Sequence, residues 1–154
     1  ESLSPNGWRS VVGTILDGTA YCAMAVGERM IENGGGSIVS MGATNSVRGA
    51  PYHAHSGAGK AGVHNLMQSL AAEWARHGVR ANTVAPGIVE TEGIADAVGG
   101  DLPETLLEEV HADRFGTPAD PVPLAVFLAS PASNYVTGGY FTVDGGHLLP
   151  NVPF

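Results

Sequence analysis

The chain has 154 residues, long enough for one ordinary domain with an apolar core, and carries no low-complexity tract. Fifteen acidic residues against seven basic ones leave a net charge of −8, so neither a nucleic-acid backbone nor an anionic membrane surface is an expected partner. Cys22 stands alone, which excludes a disulfide within the chain, suits a reducing compartment and makes the cytoplasm the expected location.

The polar opening Glu1-Ser2-Leu3-Ser4-Pro5-Asn6-Gly7 has the pattern of neither a signal nor a transit peptide, and no window is expected to reach the length of a membrane span. Ser4-Pro5 reads as an N-cap followed by proline at the first helical position. Trp8, Val11, Val12, Ile15, Leu16, Thr19 and Ala20 then recur at helical spacing, predicting a long helix to about Ile31 in which Cys22 is a buried thiol. Asn33-Gly34-Gly35-Gly36 stops that helix, and Ser37-Ile38-Val39-Ser40-Met41 reads as a strand. From about Pro51 to His77 small and apolar residues recur near a 3.6 period; Gly78 ends this second helix before the strand Val79-Arg80-Ala81-Asn82-Thr83-Val84, which Pro86-Gly87 breaks. An excursion from about Gly93 to Phe115 holds a short acidic helix over Pro103 to His111. Pro121 to Leu128 is the third substantial helix, and Tyr140-Phe141-Thr142-Val143 the last strand.

Strands alternating with helices imply right-handed crossovers and a parallel sheet, hence an α/β fold. About three strands is few for that architecture, and the chain opens on a helix, so a preceding segment is expected. Lys60 is the sole lysine, in Tyr52-His53-Ala54-His55-Ser56-Gly57-Ala58-Gly59-Lys60-Ala61-Gly62-Val63, one helical turn after Ser56. A compact ammonium kept on a helix of small residues, in a chain that otherwise uses arginine, points to a site needing a point charge. His53, His55 and His64 have no carboxylate or cysteine at a metal-ligand interval, so no metal is expected.

Four landmarks in order resemble the carboxyl-terminal part of the short-chain dehydrogenase/reductase family: Gly36 to Ser40, the segment ending in Lys60-Ala61-Gly62-Val63, Val79 to Gly87, and Tyr135-Val136-Thr137-Gly138 followed by Val143-Asp144-Gly145-Gly146. The resemblance spans essentially 1–154 and implies the C-terminal, catalytic and substrate half of a single Rossmann-like, doubly wound parallel sheet. It also implies NADP or NAD as cofactor. The glycine-rich turn that would hold the cofactor's pyrophosphate is absent, since Gly34-Gly35-Gly36 precedes a strand instead of following one. By the resemblance Lys60 binds the nicotinamide ribose, Pro86, Gly87 and Ile88 border the nicotinamide, Thr91 holds its carboxamide, and Asn82 is a structural residue at the sheet end.

The departures bear on the chemistry. Where the family carries a tyrosine general acid, four residues before the lysine, this chain has Ser56; the family serine falls on Ala43, with Thr44 beside it, and the family asparagine on Asp17. Ala43-Thr44, Arg48-Gly49 and His55-Ser56-Gly57-Ala58-Gly59-Lys60 are similar to the peroxisomal-type 2,4-dienoyl-CoA reductases. That branch fits a site of hydrogen-bond donors, because hydride addition to a conjugated thioester puts charge on the thioester oxygen. Thr44 and Ser56 are the candidate donors and Lys60 adds positive potential. Asp17 must be protonated by burial, orient a water or pair with Lys60. The expected substrate is a small acyl-CoA or carbonyl compound. The alternatives are a 3-oxoacyl or other ketone/alcohol dehydrogenase with His55 or Tyr52 as relocated acid, and a non-catalytic subunit. The resemblance further implies a homodimer or homotetramer.

Overall fold

The computed structural model describes residues 1–150. Its three strands, β1 (Gly36–Met41), β2 (Val79–Pro86) and β3 (Tyr140–Val143), form one parallel sheet in that order. Among the described strands β1 pairs with β2 alone, leaving its other edge open.

The first helix is α1 (Pro5–Val12) and α2 (Gly18–Glu32), joined by one π-helical turn, Gly13–Asp17, into a continuous 28-residue rod. Ser4 caps it as expected, its Oγ accepting from Gly7 N at 3.0 Å. The rod is long and apolar enough by length and composition to cross a membrane, which corrects the expectation from the sequence. The rod packs along α3 (Ala54–Trp74), whose Gly59 and Gly62 receive Ile15 and Leu16 from its π turn. A π turn carries one residue more than an α turn, and sequence periodicity does not register it. Cys22 is exposed, not buried; the buried positions of α2 are Ala23 and Gly27, on the face toward α3 and the sheet.

Alternation along the strands assigns the two faces. Ile38 and Ala81, paired in register, pack with Ala23 of α2 and Met67, Leu70 and Ala71 of α3. The next pair, Ser37 and Arg80, points the other way: Ser37 Oγ and Arg80 Nη1 donate to Leu128 O at 2.7 and 2.9 Å. That carbonyl lies in the last turn of α5 (Val122–Ala129), where a cation is also favoured by the helix dipole. The sheet is thus covered on both faces.

Asn82 is completely buried on β2, donating from Nδ2 to Val136 O at 2.9 Å and accepting at Oδ1 from Gly139 N at 3.0 Å. It fastens the segment leading into β3 from the middle of β2, not from the sheet end where the resemblance placed it. Gly27 is where α2 meets Trp74: a Cβ there would stand 2.3 Å from the indole. Gly27→Ala is expected to lower stability by about 1–3 kcal/mol by forcing Trp74 off its rotamer, read as a fall in thermal midpoint. An unchanged midpoint would refute this packing.

The excursion before α5 differs in detail. It contains α4 (Glu92–Val98), capped by Thr91, which no periodic pattern announced, and the acidic segment is a 3₁₀ helix, Glu104–Glu109.

Candidate active site

The loops following β1, β2 and β3 meet at the carboxyl ends of the strands, the usual ligand position in a parallel α/β sheet. They border a cleft of about 420 Å³ that includes Thr44 from the first loop, Gly87 and Ile88 from the second and His147 from the third. Ile94, Leu102 and Leu106 make its apolar wall.

Thr44 starts a 3₁₀ turn (Thr44–Ser46) and is buried. The turn is held from below by Tyr140 on β3, whose hydroxyl donates to Ala43 O at 2.8 Å and accepts from Ser46 Oγ at 2.8 Å. It is pressed from the side by α3, where a Cβ at Gly57 would stand 2.8 Å from Asn45 O, so that only glycine permits the approach. Tyr140 in turn packs edge-on against His64, ring centroids 4.7 Å apart. Burial pushes the His64 imidazole below its usual pKa.

Lys60 is half-buried and donates from Nζ to Met41 O at 2.7 Å, tying α3 to the end of β1. Loss of water pushes its ammonium below the ordinary lysine value. Ser56 lies one turn earlier on the same face of α3 and is partly buried. His55 is partly buried with Nδ1 unpartnered among the described residues; its side chain does not line the cleft, nor does the almost fully exposed Tyr52. Asp17, in the π turn whose Ile15 and Leu16 flank the height of Lys60, is exposed and forms none of the ion pairs found among the described residues. Its exposure and the lack of a Lys60 ion pair differ from the burial or pairing considered from the sequence.

Gly87 and Ile88 border the cleft, and Gly87 has a packing reason to be glycine, since a Cβ would lie 2.8 Å from Asp144 Cα. Pro86 is the last residue of β2. Thr91 lines an adjoining hollow with Ile94 and Leu102; its Oγ1 accepts from Ile94 N at 3.2 Å, leaving its own proton to donate.

Three polar residues of the cleft that were not foreseen as site residues contact one another: His147, Glu109 and Arg48. His147 sits in the turn after β3, where Gly145 and Gly146 take positive φ and Asp144 accepts from Gly146 N and Leu148 N at 3.0 Å each. Thr44 Oγ1 lies 3.3 Å from His147 Nδ1, and Glu109 Oε2 is 3.5 Å from His147 Nε2. Arg48 donates to Glu109 Oε2 at 2.7 Å and to His147 O at 2.9 Å. Arg48-Gly49 was visible as a motif, but no local spacing links it to a histidine 99 positions away.

These donors suit the nicotinamide end of a dinucleotide: Lys60 keeps two N–H groups beyond its bond to Met41, enough for a ribose diol, and the Thr91 hydroxyl suits a carboxamide oxygen. No strand, glycine-rich turn and helix in succession occurs among the described residues to take the pyrophosphate. The group of three or more histidine, cysteine or carboxylate side chains that a metal requires is also not found among them.

The family described as Enoyl-(Acyl carrier protein) reductase matches residues 1–147. A probable 2,4-dienoyl-CoA reductase of Bacillus subtilis is 37% identical over all of this chain and 62% of its own length. The acetoacetyl-CoA reductase of a Synechocystis strain is 42% identical over 94% of this chain and 60% of its own. The crystal structure of a gluconate 5-dehydrogenase from Burkholderia cenocepacia in complex with NADP and tartrate superposes with a TM-score of 0.90 at 35% identity, covering 95% of this chain and 58% of that one. The chain thus spans about three-fifths of the length of these relatives. With the parallel sheet, the lysine bound to the end of β1 and a family match over nearly its whole length, the chain belongs to the short-chain dehydrogenase/reductase family of NAD(P)-dependent oxidoreductases.

Proposed function

We propose that the protein carrying this chain is an NAD(P)H-dependent reductase of an enoyl or 2,4-dienoyl-CoA thioester. The observation that carries the reading is the donor set: a fixed ammonium on α3 and a buried threonine hydroxyl at the cleft, with serine where a phenolic acid would stand. The nicotinamide, when bound, supplies the hydride. Lys60 holds the ribose and projects positive potential; Thr44 and Ser56 donate hydrogen bonds to the thioester oxygen as it gains charge. The apolar wall of Ile94, Leu102 and Leu106 takes the hydrocarbon part of the acyl chain. Pro86, Gly87, Ile88 and Thr91 border the nicotinamide, and Asp17 orients a water. Residues 1–154 would be the catalytic and substrate half of one Rossmann domain whose glycine-rich half lies upstream. The open edge of β1 and the greater length of the relatives support this. The exposed apolar side chains Val122, Val126 and Phe127 on α5 support a homodimer or homotetramer, and the cytoplasm is the proposed location.

The 42% identity to an acetoacetyl-CoA reductase favours a second reading, a 3-oxoacyl reductase with an altered acid. The test is oxidation of NADPH and NADH by the full-length protein with a 2,4-dienoyl-CoA beside a 3-oxoacyl-CoA. Turnover of the dienoyl substrate supports the first reading; turnover of the 3-oxoacyl substrate alone supports the second, and silence on both refutes each. Ser56→Tyr sharpens the choice. On the first reading it lowers dienoyl turnover by about tenfold or more by filling the donor site, whereas on the second it raises ketone turnover by about 10²-fold, the usual worth of a placed acid.

A further inference from the structure

The proposed reaction puts negative charge on a substrate oxygen, and an alkyl hydroxyl by itself is a poor source of a proton. The cleft contains a titratable group in position to assist one. The His147 side chain is only 13% exposed, its Nδ1 is 3.3 Å from Thr44 Oγ1 and its Nε2 faces Glu109 Oε2 at 3.5 Å. Arg48 braces both ends of this chain of contacts, binding the Glu109 carboxylate and the His147 carbonyl. The link joins the loop after β1, the turn after β3 and the 3₁₀ helix before α5, and Thr44, Arg48, Glu109 and His147 all border the same cavity.

We propose that His147 is a proton relay acting through Thr44, taking over the acid function that Ser56 cannot perform. This rests on the reductase reading above. The imidazole enters as the imidazolium, protonated on both nitrogens. As hydride adds to substrate carbon, the Thr44 O–H bond breaks and its proton forms a new O–H bond on the substrate. The His147 Nδ1–H bond breaks in the same relay and restores the threonine hydroxyl. The imidazole is left neutral with its proton on Nε2, facing the Glu109 carboxylate, and solvent returns the second proton. The substrate gains two electrons and one proton on carbon as hydride, and one proton on oxygen. With a conjugated thioester the product of this step is an enol, which isomerises in water; with a ketone it is the alcohol.

Other charges bear on the imidazole. Glu109 faces the imidazole, and Arg48 is paired with Glu109. Asp144 is engaged by the backbone of its own turn. His111 packs beside Gly146, and His53 borders the cleft. His147 is thus a positioning and relay residue, and Thr44 is the group that meets the substrate.

The test uses the full-length protein and whichever thioester it reduces, with kcat followed from pH 5 to 9. The wild type is expected to lose about tenfold per pH unit on the alkaline side of the imidazole titration. His147→Asn keeps a neutral donor beside Thr44, and it should be flat through that range and about 10²-fold slower below it. Thr44→Val, of nearly the same shape, should also be flat although the imidazole is intact, and the double variant should be no slower than the slower single one. An H147N profile that keeps the wild-type limb, or effects of the two variants that multiply, would overturn the relay. A second readout needs no turnover: the Nδ1 resonance of His147 in ¹⁵N-histidine-labelled, substrate-free protein should shift on Thr44→Val. If neither thioester reacts and the resonance shifts, the substrate reading fails and the linkage stands. If a thioester reacts and the resonance does not move, the relay fails and the reductase reading stands.

Discussion

Lys60→Met is expected to reduce kcat/KM of the full-length protein by about 10²- to 10³-fold, the usual cost of losing a charge-stabilising donor at a reacting oxygen. The lysine serves two ends. Its bond to Met41 O fixes the first turns of α3 against the end of β1, and on the proposed reading its remaining N–H groups add positive potential beside the substrate oxygen. Lys60→Arg should not restore the rate, because a planar, bulkier fork replaces a compact ammonium beside Gly59 and Gly62, where α3 closes on Ile15 and Leu16. Stability supplies an independent check. Because burial lowers the lysine's pKa in the native state, the unfolded chain binds that proton more readily. The contribution of Lys60 to stability is then full above the ordinary lysine pKa and is lost as pH falls through the lowered native one. Denaturation midpoints of the wild type should therefore gain on those of K60M as pH rises through that window. A variant within threefold of wild-type kcat/KM would remove Lys60 from the site.

Asn82→Ala is expected to be the most damaging single truncation in the sheet, costing about 2–5 kcal/mol, since it strands a partly buried N–H and a partly buried C=O at once. In a domain of this size that is a fall in thermal midpoint of roughly 5–15 °C. The two bonds run from the middle of β2 to Val136 and Gly139, and with them goes the approach of the chain into β3. Tyr140 follows directly, and its hydroxyl supports the turn that presents Thr44. On the proposed reading a loss of turnover should hence accompany the thermal loss even below the midpoint. A midpoint within 2 °C of wild type would show that the loop is held by something other than Asn82.

The elements that the sequence disclosed are those whose signal is local. Ser4-Pro5 and Gly78 bound two long helices because capping and left-handed geometry depend on neighbouring residues only. The second strand was legible over Val79 to Val84 from its apolar and β-favouring run, and it continues two residues further, to Pro86. Helix α4 was not, because its seven residues carry no apolar period and its one cue is the Thr91 cap. The fate of Cys22 was misjudged from its apolar neighbours, since the side of α2 that is covered is set by α3 and the sheet. At the site, Lys60, Ser56 and Thr44 stood out through motifs, whereas His147 and Glu109 gained meaning only when chain segments 103 and 61 residues from their partners came together. A histidine after two glycines has no distinguishing context until the fold sets it beside Thr44.

The π turn at Gly13–Asp17 makes the long rod act as a phase shifter. Removing one residue from it would restore plain α-helical winding and turn every position of α2 by about 100° relative to α1. Gly27 would then swing away from Trp74, and a side chain from the exposed face would take its place against the indole. A single codon lost within these five positions should therefore scramble a surface ten or more residues downstream, whereas the same loss in the loop before Ala54 would be absorbed where it fell.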